Sequence, residues 1–520
     1  MHDLDRAAER LLAAACHGEP IAIYGDYDVD GTSATAILHH ILRAIAPHSH
    51  IRTYIPHRVD EGYGLNAQAI MQLASDGARV IVSVDCGITA IEPALSAKDA
   101  GVDLIITDHH TIADSALPEA FAVVHPRHPA GAYPFADLCG AGVAYKLAWR
   151  LATMHTGTAR VSDDLRTLLL DLLAIASLGV VADVVPLVGE NRIMAKFGLG
   201  CLRSCRFAGV RALIKSSGLE REDIDAYRVG FILGPRLNAC GRMGHARDAV
   251  ELLTTTDAAR AREIADSLTA LNNQRRATEQ AITAQASEMA EAAGMTTDTR
   301  RAIVLAHEDW HTGVVGIVCS RLVDRYARPV ILMRKQADAC AGSGRSIAGL
   351  SLHRALSHCS HLLDSFGGHD HAAGLRLQPA NLSAFTEAFI EYANAALSTE
   401  QLAPTLRIDC DATLDMLTPT AITQLDQLAP FGRDNPPVTV RLTHLEVAGQ
   451  PRRFGREGSH LGLHVRQGTR VMRLIAWNWG QRAETIAPGQ TIDAVVTPTL
   501  SKWNGTVKVE PEVKDVRLTE

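Results

Sequence analysis

The sequence has few aromatic residues, no excess of positive charge and no long uninterrupted apolar run. Aromatic residues make up 5% of the 520 residues while alanine and leucine are abundant, which favours helix-rich α/β architecture. The net charge of −7 lacks the basicity that is typical of nucleic-acid-binding proteins. A cluster of metal-ligating carboxylates is itself acidic, however, so net charge neither supports nor excludes DNA as a partner.

The ten cysteines include no CxxC pair. Cys201 with Cys205, or Cys240 with His245, has no matching second pair at the spacing of a structural zinc site, so reduced thiols are expected. The longest apolar stretch, residues 168–181, is interrupted by Asp171 and is too short to span a bilayer. The first twenty residues form an amphipathic helix pattern rather than a signal peptide. Together these features predict a cytoplasmic protein with no membrane segment.

A chain of 520 residues is too long for one hydrophobic core, so several domains are expected. Strand-like and helix-like runs alternate over residues 1–256, with strands predicted at 21–24, 80–84, 104–107 and 121–124, which indicates a mainly parallel sheet. A polar, alanine-rich segment without proline predicts one long connecting helix over 257–294, before a second α/β unit over 295–400. Short runs at 438–445, 461–465, 471–476, 491–496 and 506–513 predict a closed β-barrel within 401–520.

Four short acidic segments follow apolar runs and carry the chemical signal of the sequence. Three of them follow predicted strands, where the carboxyl ends of a parallel sheet meet, and the fourth follows a predicted buried helix. Carboxylates with one or two imidazoles and no thiolates suit Mn²⁺ or Mg²⁺, and two such ions are a common means of hydrolysing phosphate esters. The candidate ligands are Asp26, Asp28 and Asp30, then Asp85, then the Asp108-His109-His110 run, and Asp183.

The aspartate triplet alone leaves two interpretations open. An EF-hand loop requires a glutamate at its twelfth position, and counting from Asp26 that residue is Ile37, so this class of calcium site is excluded. The triplet fits either a metal-binding loop or the start of a helix capped by Asp30 or Thr32. The acidic segments further along the chain favour the metal site, in which a central Asp85 bridges two ions.

The motifs DYDVDG (26–31), VDCG (84–87), DHH (108–110) and VVADVVPL (180–187) resemble those of the DHH phosphoesterase family in order and spacing. Further blocks resemble the RecJ branch of that family: GPRLNACGR (234–242), WHTGVVGI (310–317), GSGRS (342–346), GGHDHAAG (367–374) and APFGRDNP (429–436). The resemblance covers nearly the whole chain. It implies two α/β lobes, DHH and DHHA1-like, joined by the long helix, and an oligonucleotide-binding (OB-like) barrel. It further implies a 5′→3′ exonuclease that acts on single-stranded DNA.

The resemblance also assigns roles to individual residues. It implies that Asp85 is the bridging ligand, that Asp108 orients His109 without binding metal, and that His110 contacts the scissile phosphate. The implied metal ligands are Asp26, Asp28, Asp30, Asp85, His109 and Asp183. The implied DNA- and phosphate-binding residues are Arg236, Asn238 and Arg242 along the backbone, and Ser343, Arg345, Ser346, Gly368, His369 and Gly374 near the 5′ end. In the barrel, the implied DNA-binding candidates are Trp477, Trp479, Trp503, Arg452, Arg453 and Arg456.

The resemblance implies single-stranded DNA as substrate and a single-strand-binding protein and a helicase as partners, with a monomer as the default state. Two other functions compete with this one. A DHH enzyme that cleaves small substrates such as dinucleotides would not need the β region after Pro404, and a non-catalytic scaffold would be expected to lack some of the ligands. About twenty residues precede the first predicted strand, fewer than this family usually carries. Either the longer leader is dispensable here or the start is internal, which leaves some packing of the first domain open but no site residue.

Overall fold

The computed structural model describes residues 1–57, 61–62, 64–113, 116–503 and 506–519, with only the backbone of Lys502 and Trp503. The chain divides into two compact units. The first contains Met1–Asp183 and Phe197–Thr405, and the second contains Val184–Lys196 and Leu406–Glu520. All ten cysteines lie in the described ranges and are free thiols, as the sequence predicts.

A parallel five-stranded sheet lies at the centre of the first lobe, in the order β2-β1-β3-β4-β5. Every residue of β1 and β3 is buried, because helices cover both faces of a parallel sheet. The four predicted strands are found within one residue of their predicted ends, and β2 was not predicted. The strands are β1 (Ile21–Gly25), β2 (Ile51–Tyr54), β3 (Val80–Val84), β4 (Asp103–Thr107) and β5 (Ala122–Val124).

Ten labelled helices belong to the first unit with this sheet, α7 is divided between the two units at Lys196, and α2, α5 and α6 pack against one another. Among the described residues, α6 alone is long and apolar enough to cross a membrane by length and composition, but 67% of its apolar stretch is buried, as in a core helix. The helices are α1 (Leu4–His17), α2 (Val29–Ile45), α3 (Ala67–Ser75), α4 (Ile91–Asp99), α5 (Gly140–Thr156), α6 (Asp163–Ala182), α7 (Gly189–Cys201), α8 (Ala208–Ser216), α9 (Ala226–Arg228), α10 (Gly234–Met243) and α11 (Arg247–Thr254).

The predicted long helix is α12 (Ala258–Ala292), whose 35 residues span about 52 Å at about 1.5 Å per residue. It leads into a second, mixed sheet in the order β6-β7-β8-β10-β9. Strands β8, β9 and β10 were not predicted, because their glycine-rich sequences lack the β-branched pattern of a strand. The elements are β6 (Ile303–His307), α13 (Thr312–Tyr326), β7 (Val330–Lys335), β8 (Cys340–Arg345), α14 (Leu352–His358), β9 (Ser365–Gly368), β10 (Ala372–Leu377) and α15 (Leu382–Ala396).

The second unit is built on a seven-stranded sheet in the order β11-β12-β16-β19-β15-β14-β13, and an additional pairing of β12 with β14 closes it on itself. This is the predicted small barrel. The predicted strand over 506–513 was wrong: it is divided at Pro511, and only its first part forms a hairpin, with β17. The elements are β11 (Cys410–Ala412), α16 (Pro419–Leu425), β12 (Val440–Val447), β13 (Arg452–Phe454), β14 (His460–Gln467), β15 (Arg470–Ala476), β16 (Thr491–Thr497), β17 (Leu500–Trp503), β18 (Thr506–Val509) and β19 (Glu512–Thr519).

Candidate metal centre

The predicted ligands gather at one edge of the first sheet. Asp26, Asp85 and Asp108 follow directly after the ends of β1, β3 and β4, and Asp183 caps the end of α6. Parallel strands end at the same edge, so their following residues lie close together. The acidic and histidine side chains form three groups whose ligand atoms lie within 4.8 Å of one another: Asp26 with Asp28 and Asp85, Asp30 with His109 and Asp183, and Asp85 with His109 and His110.

Two aspartates of the triplet are held by helix N-termini. Asp28 Oδ1 accepts hydrogen bonds from the backbone N–H groups of Asp30 at 2.8 Å and Gly31 at 3.0 Å, so the N-cap of α2 is Asp28 and neither Asp30 nor Thr32. The oxygens of Asp30 accept from the first residues of α5. A carboxylate has two oxygens and about four lone-pair directions, so the capping and metal-binding interpretations of the triplet are compatible.

Asp85 and His109 form the centre of the cluster. His109 Nε2 lies 3.1 Å from Asp85 Oδ1, 3.6 Å from Asp183 Oδ2 and 3.8 Å from Asp30 Oδ2. Within the described residues, the buried atoms Asp85 Oδ1 and His109 Nε2 make no hydrogen bond. A buried polar atom without a partner is costly, and an oxygen-binding divalent cation satisfies both atoms. The donor set therefore fits Mn²⁺ or Mg²⁺.

The electrostatics of the cluster also favour bound cations. Burial, followed by the charges of Asp30 and the other carboxylates, raises the pKa of Asp85 well above its usual value, and burial with the charge of Asp30 raises the pKa of Asp28. Burial lowers the pKa of His109, which keeps its imidazole neutral and able to donate a lone pair to a metal. Without cations, the carboxylates repel one another in a buried site.

Asp108 lies outside the three ligand groups and is saturated by hydrogen bonds. Its Oδ1 accepts from the backbone N–H groups of His109 and His110 and from His110 Nδ1 at 2.8 Å, and its Oδ2 accepts from the N–H of Ile88. The imidazole that Asp108 orients is therefore that of His110, where the sequence predicted His109. Burial opposes protonation of His110, but the hydrogen bond and the charge of Asp108 outweigh it and raise the pKa of His110 to about 9.

Comparisons with known proteins agree with this geometry. The DHH family, N-terminal domain, matches residues 20–177, the DHHA1 domain matches 299–395, and the RecJ OB domain matches 408–515. The chain is 37% identical to the single-stranded-DNA-specific exonuclease RecJ of Bacillus subtilis, over 100% of this chain and 64% of the relative. It is 36% identical to the protein of the same name from Dickeya dadantii, over 84% of this chain and 77% of that one. The chain belongs to the RecJ family.

The RecJ family also accounts for the fold and the metal. The crystal structure of RecJ from Thermus thermophilus in complex with Mn²⁺ matches with a TM-score of 0.84 and 31% identity, over 99% of this chain and 72% of that one. The Mg²⁺ complex from the same organism matches with a TM-score of 0.77 and 29% identity, over 99% and 70%. These structures confirm the predicted fold class and the prediction of Mn²⁺ or Mg²⁺. The chain spans between 64% and 77% of the length of these relatives.

The three RecJ-type residues predicted to bind the DNA backbone make contacts within the protein. Arg236 donates to Ile232 O at 2.7 Å and to Thr269 Oγ1 at 3.3 Å. Asn238 Oδ1 accepts from the N–H of Val29 at 3.1 Å, which connects α10 to the start of α2. Arg242 donates to Gly313 O at 3.1 Å, at the start of α13.

The residues predicted at the 5′ end lie together on the second sheet. Ser343 of β8 pairs with Gly374 of β10, and Arg345 pairs with Ala372. The serine and the arginine therefore lie on the strand next to the glycine-rich block at 367–374. A Cβ placed on Gly316 of α13 would lie 3.4 Å from both Ser343 Oγ and Arg345 Nη2. The remaining members are close by in the chain: Ser346, whose N–H donates to His371 O, Gly368 at the end of β9, and His369 in the turn between β9 and β10.

In the barrel, the predicted aromatic residues differ in exposure. Trp477 is 47% exposed, and its ring lies 4.8 Å from that of His460 and 5.8 Å from that of Phe454. Trp479 packs against the barrel core with Arg482 over its ring, so it has a structural role. The side chain of Trp503 lies outside the described residues. The predicted arginines Arg452, Arg453 and Arg456 are exposed, and Arg453 pairs with Glu484 at 3.0 Å.

Sequence reasoning missed the residues that hold Asp30. The N–H groups of Gly140 and Ala141, at the start of α5, donate to Asp30 Oδ2 at 2.6 Å and Oδ1 at 2.9 Å. A search for acidic and histidine side chains does not find these residues, because they bind Asp30 through their backbone N–H groups. The available signal was the Gly-Ala-Gly run at 140–142 immediately before an apolar helix pattern.

Proposed function

We propose that this chain is a two-metal-ion 5′→3′ exonuclease that hydrolyses single-stranded DNA to 5′-mononucleotides, in DNA repair and recombination. The observation that carries the proposal is the pair of buried atoms Asp85 Oδ1 and His109 Nε2, 3.1 Å apart and surrounded by carboxylates. The names of the RecJ relatives supply the substrate class.

In the proposed site, Asp85 would be shared between two ions, because it is grouped with Asp26 and Asp28 and also with His109, which belongs in turn to the group of Asp30 and Asp183. Asp26 and Asp28 would complete the ligands of one ion, and Asp30, His109 and Asp183 would complete those of the other. When bound, two such ions supply a nucleophilic water and neutralise charge on the phosphate. Against the effect of burial, the hydrogen bond to Asp108 raises the pKa of His110 and favours the imidazolium form, which would contact the scissile phosphate.

A second group of residues receives the 5′ end of the strand. Arg345 and Ser343, with Ser346, Gly368, His369 and Gly374, bind the terminal phosphate, and Arg236, Asn238 and Arg242 hold the strand between this pocket and the metals. Arg345→Gln should reduce the preference for 5′-phosphorylated over 5′-hydroxyl strands. Arg376→Gln, on the neighbouring strand β10 and half exposed, is the matched control and should leave the preference unchanged. Equal effects of the two substitutions would remove this pocket from the proposal.

We also propose the division of labour along the chain. Residues 1–256 form the catalytic domain, 257–294 the connecting helix, 295–400 the DHHA1-like nucleic-acid-binding domain and 401–520 the single-stranded-DNA-binding barrel. The three family matches support this division. The proposed setting is the cytoplasm, where the protein acts as a monomer with a single-strand-binding protein and a helicase.

The deciding experiment follows 5′-phosphorylated single-stranded DNA, labelled at its 3′ end, in Mn²⁺ and in EDTA. Mononucleotides should be released from the 5′ end only with metal, blunt duplex should resist, and Asp85→Ala should be inactive. Asp99→Ala, at an exposed position at the end of α4, is the matched control and should retain full activity. Activity restricted to dinucleotides would assign a small-substrate enzyme, and no turnover of any substrate would leave a scaffold.

A further inference from the structure

Two helices approach the metal cluster through glycine. A Cβ placed on Gly140, the first residue of α5, would lie 2.5 Å from Asp85 Oδ1 and 2.6 Å from Asp85 Cβ. A Cβ placed on Gly179 of α6 would lie 2.4 Å from Asp30 Oδ1. Side-chain carbons essentially never approach other atoms this closely. Asp85 is 2% exposed and Asp30 is 1% exposed, so neither carboxylate has free space into which it can move.

Backbone conformation does not explain these glycines. Neither has a φ in the left-handed region, so an alanine would adopt either conformation without strain. Within a helix such as α6, glycine is less favourable than alanine by about 0.5–1 kcal/mol. Local propensity therefore favours alanine, and the close approach to the carboxylates is what requires glycine.

The close approach places the backbone itself against the ligands. With no side chain on Gly140, the first N–H groups of α5 reach Asp30 at 2.6 and 2.9 Å, while the same turn rests against Asp85. The amino end of a helix carries partial positive charge, which stabilises a carboxylate placed there. One turn of α5 thus fixes the two carboxylates that are assigned to different parts of the ligand set.

We propose that Gly140 and Gly179 are positioning residues for the metal pair, Gly140 through the shared ligand Asp85 and Gly179 through Asp30. This inference rests on the proposed two-metal function. Asp85 is grouped with Asp26 and Asp28 and also lies 3.1 Å from His109 of the other proposed ion, whereas, among the described residues, Asp30 is grouped only with His109 and Asp183, so the two glycines act differently. Gly140→Ala affects both ions, whereas Gly179→Ala affects the ion held by Asp30, His109 and Asp183.

The test measures Mn²⁺ binding to the full chain by calorimetry and by electron paramagnetic resonance. The wild type should bind two ions with a spin-coupled signal. Gly179→Ala should bind one Mn²⁺ ion as tightly as the wild type and the other with an affinity about 10- to 100-fold lower, which is the usual cost of disturbing a residue that orients a ligand. Gly140→Ala should have a lower affinity for both ions. Gly200→Ala in α7, where nothing lies within 4 Å of the added carbon, is the control and should bind like the wild type. Wild-type binding by both variants would overturn the inference.

A second comparison tests whether Gly140→Ala acts through Asp85 even if that variant folds poorly. Asp85 has φ of 62°, which glycine adopts readily, so Asp85→Gly removes the atoms that the new carbon would strike. In EDTA, Gly140→Ala should lower the melting temperature of the wild type but not that of Asp85→Gly. Equal losses in the two backgrounds would mean that Gly140 does not act through Asp85.

Gly179 requires one more control, because its added carbon would also lie 2.6 Å from Ala141 Cβ. Ala141→Gly removes that helix–helix contact and leaves the contact with Asp30. Full recovery of Mn²⁺ binding in the Gly179→Ala/Ala141→Gly variant would show that Gly179 only spaces α6 from α5. A wild-type protein that binds fewer than two Mn²⁺ ions would contradict the two-metal function itself, which distinguishes the two failures.

Discussion

The melting temperature should respond with opposite signs when each of two buried aspartates at the candidate metal centre is replaced by asparagine. In EDTA at about pH 7.5, Asp85→Asn should raise the melting temperature. Burial and the acidic neighbours raise the pKa of Asp85, so its ionised form destabilises the folded state, whereas the amide of asparagine carries no charge. Asparagine adopts a left-handed φ as readily as aspartate, so the φ of 62° adds no backbone cost. Asp108→Asn should lower the melting temperature, because four hydrogen-bond donors stabilise its charged form.

The size of the second effect follows from the pKa of Asp108. Burial opposes ionisation, but the hydrogen bonds and the charge of His110 outweigh it and lower the pKa from 3.8 to about 2. At about 1.4 kcal/mol per pH unit, the ionised carboxylate contributes about 2 to 3 kcal/mol. This contribution is complete above pH 3.8 and is lost as the pH falls towards 2. For Asp85 the sign is reversed, so metal-free wild type should gain stability from this residue as the pH falls.

Scanning calorimetry in EDTA and in saturating Mn²⁺ tests both signs. A ligand present at about 100 times its Kd stabilises a protein by about 2.7 kcal/mol, so Mn²⁺ should raise the melting temperature of the wild type clearly. Mn²⁺ should raise the melting temperature of Asp85→Asn much less. Asp85→Asn should therefore melt at a higher temperature than the wild type in EDTA and at a lower temperature than the wild type in Mn²⁺. A lower melting temperature for Asp85→Asn in EDTA would refute the assignment of Asp85 as a destabilised, cation-dependent ligand.

Three further predictions concern other parts of the chain. Glu279→Gln should lower the free energy of unfolding in denaturant by about 3 to 5 kcal/mol, because Arg275, which is 8% exposed and 2.9 Å away, is left buried without its carboxylate. Glu263→Gln, which removes an exposed ion pair of the same helix, is the control and should lower it by less than about 1 kcal/mol. Equal losses in the two variants would contradict this prediction. Burial lowers the pKa of His39 from 6.5 to about 4, so the folding stability of the wild type should fall by up to about 1.4 kcal/mol per pH unit as the pH decreases from 6.5 to 4. His39→Gln should show a smaller decrease in melting temperature between about pH 7.5 and 5. Trp477→Ala should weaken oligonucleotide binding by about 1 to 3 kcal/mol in anisotropy titrations, with no change for an abasic strand.

The convergence of the candidate metal ligands could be predicted because it follows a rule of topology. Asp85 and Asp108 follow apolar runs of strand length, and parallel strands end at one edge, so their convergence does not depend on side-chain detail. Asp183 was predicted from the length of the apolar stretch before it and the proline after it. The sequence did not distinguish the members of the triplet, because three aspartates at alternate positions look equivalent until the helix start is known.

Other features depend on atoms that a pattern of side chains does not represent. Glycine in β8 and β10 weakens the strand signal, although the paired neighbours supply the hydrogen bonds. Pro511 was the available warning that the predicted strand over 506–513 is divided, because proline cannot donate to a ladder. The partners of Asp30 are backbone N–H groups more than 100 positions away, and only the folded chain brings them together.

The candidate ligands of the proposed metal centre are spread from Asp26 to Asp183. During translation, the last of them emerges only after about a third of the chain has been made, and it is fixed only when α6 packs against α2 and α5. A prematurely terminated chain that ends before this point lacks a ligand and cannot assemble the complete centre. The proposed centre can therefore form only in chains that extend beyond Asp183.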